Sequence, residues 1–152
     1  MTVYYSQPKL KSLSQGDRLA FIRQFRRMSQ QELGESIGLP ANHARNLICR
    51  YEKKNRRIKT DRLKAIANTL NINVSMLTRW DFEDPEDLFY QLLWVEQLCP
   101  DFTFRHTIHT RPGNKTHAIL SEKYEAWKEM RRKYSDSRIS FEEYWEWKLT
   151  KA

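Results

Sequence analysis

The sequence predicts a mainly α fold: an N-terminal arm over residues 1–14, a five-helix bundle over 15–80, and a small α+β unit over 81–152 made of a helix, a β-hairpin and two helices. Three observations lead there. Glycine and proline number only 4 and 5 in a chain of which 30% is charged, a composition that suits helices better than a sandwich of strands. Apolar residues recur at three- and four-residue intervals through most of the length and switch to a period of two once, at residues 102–109. Two Ser-x-x-Glu signatures, Ser29 with Glu32 and Ser140 with Glu143, mark helix starts, because each side chain can satisfy a free amide of the new helix.

The first helix spans Gln15–Met28, with Leu19, Ile22 and Phe25 on one face, Phe21 adjoining, and Arg18, Arg23, Arg26 and Arg27 at the other positions. The second runs from Gln30 to Ile37 behind the Ser29 box, and Gly38 supplies the left-handed residue that stops it. After a short turn, Pro40 suits the start of a third helix over 41–53. Thr60 and Asp61 open a fourth with a Leu63, Ile66, Ala67 and Leu70 stripe, ended by Asn71 in the left-handed region, and a brief fifth covers Ser75–Arg79. The acidic stretch 81–87, with Pro85, is the expected domain boundary.

Beyond it, Asp84 and Pro85 begin a sixth helix through Leu98 with Leu88, Leu92, Val95 and Leu98 turned inward. Phe102, Phe104, His106 and Ile108 then alternate with polar residues as a strand, and Pro112-Gly113-Asn114 turns it into a second strand over Lys115–Leu120. Ser121 caps a seventh helix to Tyr134, and Ser140 caps the last. Should Pro-Gly-Asn form a three-residue loop, His109 faces His117 and the pair could hold a metal. No cysteine or nearby carboxylate completes a tetrahedral set, so solvent-facing histidines, no metal and no cofactor are expected.

The longest apolar run, near Leu92–Val95, is far short of the ~20 residues of a membrane span. The opening MTVYYSQPKLK lacks the charged-then-apolar order of a signal peptide. Cys49 and Cys99 make no CxxC pair, and free, buried thiols in a reducing compartment are expected. Together these point to a soluble, cytoplasmic protein with no membrane partner. No glycine-rich phosphate loop, nucleophile elbow or HExxH motif occurs, which argues against an enzyme.

Charge is unevenly spread. Residues 1–80 carry 16 Lys and Arg against 5 Asp and Glu, a net of +11, whereas 81–152 carry 11 against 14, a net of −3. A basic half points to a polyanion, and the competing reading is an ordinary solvated face. Pattern favours the polyanion. The second and third helices form a helix-turn-helix, in which a helix of this size fits the ~12 Å major groove and its predecessor crosses the backbone. On the third helix Asn42, His43, Arg45, Asn46 and Arg50 can reach base edges. Lys53, Lys54, Asn55, Arg56 and Arg57 follow where phosphates would lie, with Ser29 and Gln30 at the start of the second helix.

Ser29-Gln30, Glu32-Leu33-Gly34, Ile37-Gly38-Leu39, Ile48, Arg50-Tyr51-Glu52, Arg56, and Leu63, Ala67 and Leu70 together resemble the XRE family of lambdoid-repressor-type helix-turn-helix regulators, over about Gly16–Leu77. About four additional residues stand between Gly38 and Arg45, as in a longer-turn variant found in Firmicutes regulators, whose second half also resembles this one at 92–96, 126–127 and 139–147. Where the family has a glycine after its Tyr-Glu pair and a proline before the fourth helix, this chain has Lys54 and Ile58, and Asn55 is expected to take the left-handed conformation instead.

The resemblance implies a lambda-repressor-like bundle and a sequence-specific double-stranded DNA-binding regulator. It would most often be a repressor acting as a homodimer on a palindrome, with Gln30 on a phosphate and Arg45, Asn46 and Arg50 on bases. Trp127, Tyr144, Trp145 and Trp147, dense at helical spacing, suit core or dimer packing better than a ligand cage, and Trp94, Trp127, Tyr144 and Trp145 are the expected dimer or interaction residues of the second half. The alternative is an interaction module, antitoxin-like or a phage-encoded inhibitor, whose residues 82–152 grip a protein target while the helix-turn-helix serves autoregulation.

Overall fold

A computed structural model describes residues 7–54, 56–80, 86–99 and 115–152. Two compact units divide between Arg79 and Trp80. The first contains α1 (Gln15–Phe25), α2 (Gln30–Ser36), α3 (Ala41–Glu52), α4 (Thr60–Leu70) and a 3₁₀ turn, Val74–Met76; the second contains α5 (Glu86–Leu98), α6 (Lys115–Ser135) and α7 (Phe141–Thr150).

Local signals in the first unit act as their chemistry dictates. Ser14 caps α1 by accepting from the Asp17 amide. Ser29 accepts from the Glu32 amide, and the Glu32 carboxylate accepts from the Ser29 amide in return. These bonds hold the exposed Glu32 carboxyl below its ordinary pKa. Gly38, at φ +82°, turns the chain out of α2, and Asn71, at φ +51°, closes α4. The core gathers Leu19, Phe21 and Ile22 of α1, Leu33 of α2, Ala44, Ile48 and Tyr51 of α3, and the Leu63, Ile66, Ala67 and Leu70 stripe of α4.

The fifth helix is not formed beyond the 3₁₀ turn. Three consecutive carbonyls that would continue it are taken by α1 side chains: Arg18 donates to the carbonyls of Met76 (2.6 Å) and Thr78 (2.7 Å), and Gln15 donates to that of Leu77 (2.9 Å). Arg18 is therefore a buried strut rather than part of a solvated basic face, with a third bond to the Leu13 carbonyl. Burial pulls its pKa down to about 9, which still leaves it charged at neutral pH. Arg23 is also buried, and Arg26 donates to the Leu70 and Asn71 carbonyls. Three of the four arginines assigned to the polar side of the first helix thus hold the unit together.

The expected β-hairpin is overturned. Lys115–Leu120, its second strand, forms the first turns of α6, and there is no strand among the described residues. Its first strand, Phe102–His109, lies outside the described residues. Ala118, Leu120, Glu122, Lys123, Glu125 and Ala126 are strong helix formers that carry the helix straight through Ser121, so the serine caps nothing. The facing of His109 on His117 depended on that hairpin and falls with it.

The inward face of α5 also differs from expectation. Leu88 and Leu98 are 53% and 36% exposed, whereas Phe89, Tyr90, Leu93 and Trp94 are buried. The helix is turned by about one position because aromatic side chains remove more surface from water than leucine does. Phe89 meets Tyr124 and Trp127 edge-on with ring centroids 5.8 and 6.0 Å apart, and Trp94 lies 4.9 Å from Trp145. Ser140 and Glu143 form the expected capping box of α7. Cys99 is exposed and Cys49 half-buried, so neither is the buried thiol expected.

Candidate nucleic-acid interface

The helix-turn-helix is α2, the turn 37–40 and α3. Its geometry is set by small residues and one buried ion pair. A Cβ on Gly34 would lie 2.7 Å from the Ala44 Cβ and 2.7 Å from the Ala44 carbonyl oxygen, so α2 and α3 touch backbone to backbone at a contact only glycine allows. Glu52, at the end of α3, accepts from Arg23 Nε at 2.6 Å and Nη2 at 3.1 Å, and from the Gln30 amide at 2.7 Å. Arg23 Nη1 donates to the Met28 carbonyl at 2.7 Å. One carboxylate therefore joins α1, α2 and α3. Sequence reasoning gave Glu52 and Gly34 no structural role; the Gln30-to-Glu52 spacing carries no local signal that would have revealed it.

The turn is short, since α3 starts at Ala41, directly after Pro40. At about 100° per residue, Ala44, Ile48 and Tyr51 form the inner face, and Asn42, Asn46, Cys49 and Lys53 run along the opposite ridge. Arg45 flanks that ridge on one side, His43 and Arg50 on the other. Asn42, His43, Arg45, Asn46 and Arg50 are all exposed, and none of their side chains hydrogen-bonds or ion-pairs with a described residue. Between Ala41 and Lys59 the only carboxylate is Glu52, which is turned inward. The outer face of α3 is thus a row of unspent donors and amides with no acidic group on it.

The expected phosphate-side residues divide into two groups. Lys53, Arg56 and Arg57 are exposed without intramolecular partners among the described residues. Lys54 is instead drawn to Asp17, Nζ to Oδ2 3.0 Å, which together with Ser12 holds that carboxyl below its ordinary pKa against the opposing effect of burial. Lys54 itself takes the left-handed conformation, φ +65°. The expectation that Asn55 takes a left-handed conformation falls on a residue outside the described ones. Ser29 is committed to its capping box and Gln30 to Glu52, so both are held in place by internal bonds before any ligand arrives.

The four aromatics expected at a dimer or interaction surface are buried inside the second unit: Trp94 and Trp145 have no exposed surface, and Trp127 and Tyr144 retain only 2% and 3%. They are packed there because their polar ends have internal partners. Trp127 Nε1 donates to the Tyr144 hydroxyl at 2.9 Å, that hydroxyl donates to Glu96 at 2.8 Å, and Trp145 Nε1 donates to Gln97 at 2.9 Å. Any contact with a partner falls to other side chains.

Family models, curated proteins and solved structures were compared with the chain, and none matches. Among the described residues no group of histidine, cysteine and carboxylate side chains could hold a metal, and no helix is long and apolar enough to cross a membrane.

Proposed function

We propose that this chain is a sequence-specific double-stranded DNA-binding transcriptional regulator, a repressor of the XRE type. The observation that carries the reading is the outer face of α3, where Asn42, His43, Arg45, Asn46 and Arg50 stand exposed and unpaired among the described residues while the carboxylate of the same helix faces inward. A helix about 10–12 Å across matches the major groove, and amide and guanidinium groups are the donors that base edges accept. Lys53, Arg56 and Arg57 would neutralise flanking phosphates.

One such helix covers too few base pairs for operator-level specificity, so the reading includes a homodimer on half-sites about 34 Å apart, with contacts through the second unit, and a cytoplasmic location beside the DNA. The test is a titration of the full chain against duplexes from its own promoter region and scrambled duplexes at two salt concentrations. Binding that prefers one duplex and weakens steeply with salt is expected. Failure to bind any duplex, or binding indifferent to salt, refutes the reading.

A further inference from the structure

The ridge of α3 carries two asparagines four residues apart, Asn42 and Asn46, both exposed and both without a side-chain partner among the described residues. Four residues advance a helix by about 6.0 Å, close to the ~6.8 Å of two base-pair steps in duplex DNA. A carboxamide offers one donor and one acceptor side by side. In the major groove only adenine presents the matching pair, the N7 acceptor beside the N6 amino donor. Guanine shows two acceptors there, cytosine a donor, and thymine an acceptor with a methyl group.

The neighbours sharpen this choice. Arg45 and Arg50 flank the ridge with donors suited to guanine, and the missing outward carboxylate removes the acceptor that would seek cytosine. The next ridge position after Asn46 is Cys49, a small, half-buried side chain that leaves room for the helix to sit deep against the base edges.

Resting on the DNA-binding reading above, we propose that each half-site contains two A·T pairs separated by one base pair, the adenines held by Asn42 and Asn46. The experiment is selection of random duplexes by the full chain, followed by sequencing, for the native protein, Asn42→Ala, Asn46→Ala and Arg56→Ala. Both asparagines are exposed and alanine favours helix, so circular dichroism should show the variants folded.

The native protein should enrich a motif with that A-x-A spacing. Asn42→Ala should relax one of the two positions and Asn46→Ala the other, each by roughly 5- to 150-fold in preference over the other bases, and Arg56→Ala should relax neither. An enriched motif lacking this spacing, or two asparagine variants that relax the same position or none, overturns the proposal while leaving DNA binding intact. No enrichment of any duplex overturns the DNA-binding reading and the proposal with it.

Discussion

Removing Glu96 should cost the second unit far more than removing the lysine it pairs with. The Lys148 ammonium is buried, bonded to Glu96 Oε2 at 2.5 Å and to the Leu93 carbonyl at 3.2 Å, and it lies 4.5 and 4.7 Å from the ring centres of Tyr144 and Trp145. Glu96 also accepts from the Tyr144 hydroxyl and from Arg131, whose Nε lies 3.0 Å from Oε1. Glu96→Ala leaves a charge inside the unit with one carbonyl and two ring faces, and breaking a buried pair in this way costs roughly 3–5 kcal/mol. Lys148→Met removes the desolvated ammonium, fills similar volume, and leaves Glu96 with Arg131 and Tyr144, so about 1 kcal/mol or less is expected. A unit of this size has only ~4–10 kcal/mol of stability, so the first variant should lose about half or more of it.

Urea unfolding followed by tryptophan fluorescence reads the second unit selectively, because all five tryptophans lie at or after Trp80. The pH dependence adds a second check. Burial, outweighing the attraction of Glu96, lowers the Lys148 pKa below its ordinary 10.5. The unfolded chain then holds that proton more tightly, and stability from this group rises with pH between the lowered value and 10.5. Tyr144 acts oppositely: burial and then the Glu96 charge raise its pKa above the ordinary 10.0, so its contribution falls once the unfolded chain ionises above about pH 10. Stability should therefore climb on the alkaline side up to about pH 10, and Lys148→Met should abolish the climb. If Lys148→Met destabilises more than Glu96→Ala, or leaves the pH profile unchanged, the account of the pair is wrong.

Gly34→Ala should destabilise the first unit by ~1–3 kcal/mol and weaken DNA binding in proportion to how far α3 is pushed off α2, since the added Cβ meets Ala44 backbone as well as side chain; circular dichroism melts and duplex titration measure the two effects. Lys54→Gly exchanges a left-handed lysine, which costs about 1 kcal/mol, for the loss of an ion pair whose lysine is 53% exposed, so stability should stay level or rise by up to about 1 kcal/mol, and a clear loss would show the Asp17 pair to be the stronger effect. Arg56→Ala and Arg57→Ala should each weaken binding to all duplexes equally and flatten the salt slope by about one, whereas Arg45→Ala should relax preference at particular bases; equal losses on specific and scrambled duplexes would remove Arg45 from base reading.

What the sequence made legible is what depends on near neighbours. Both capping boxes, the left-handed Gly38 and Asn71 and the inner stripe of α4 form as expected, because each is settled within one or two helical turns. Asn42, His43, Arg45, Asn46 and Arg50 stand outside α3 as their polar chemistry led one to expect, whereas Tyr51, expected half-buried, is buried with Ala44 and Ile48. The fate of the arginines was not legible. A helical wheel shows Arg18 as polar, but its acceptors lie 58 and 60 residues further on. The face of α5 escaped a leucine-counting reading because Phe89 and Trp94 outweigh Leu88 and Leu98, and Lys115–Leu120 read as strand only when taken apart from the helix formers that follow it.

The grip of α1 on the carbonyls of residues 76–78 has a consequence for how the protein is made. Until those residues leave the ribosome, the guanidinium of Arg18 has only the Leu13 carbonyl among these partners, and the first unit lacks the bonds that seal its beginning to its end. At ~5–20 residues per second, the 60 residues from Arg18 to Thr78 take about 3–12 s to emerge. During that interval the Arg18 guanidinium is without the Met76 and Thr78 carbonyls that hold it in the finished unit. Only after it can the bonds that tie the beginning of the first unit to its end be made.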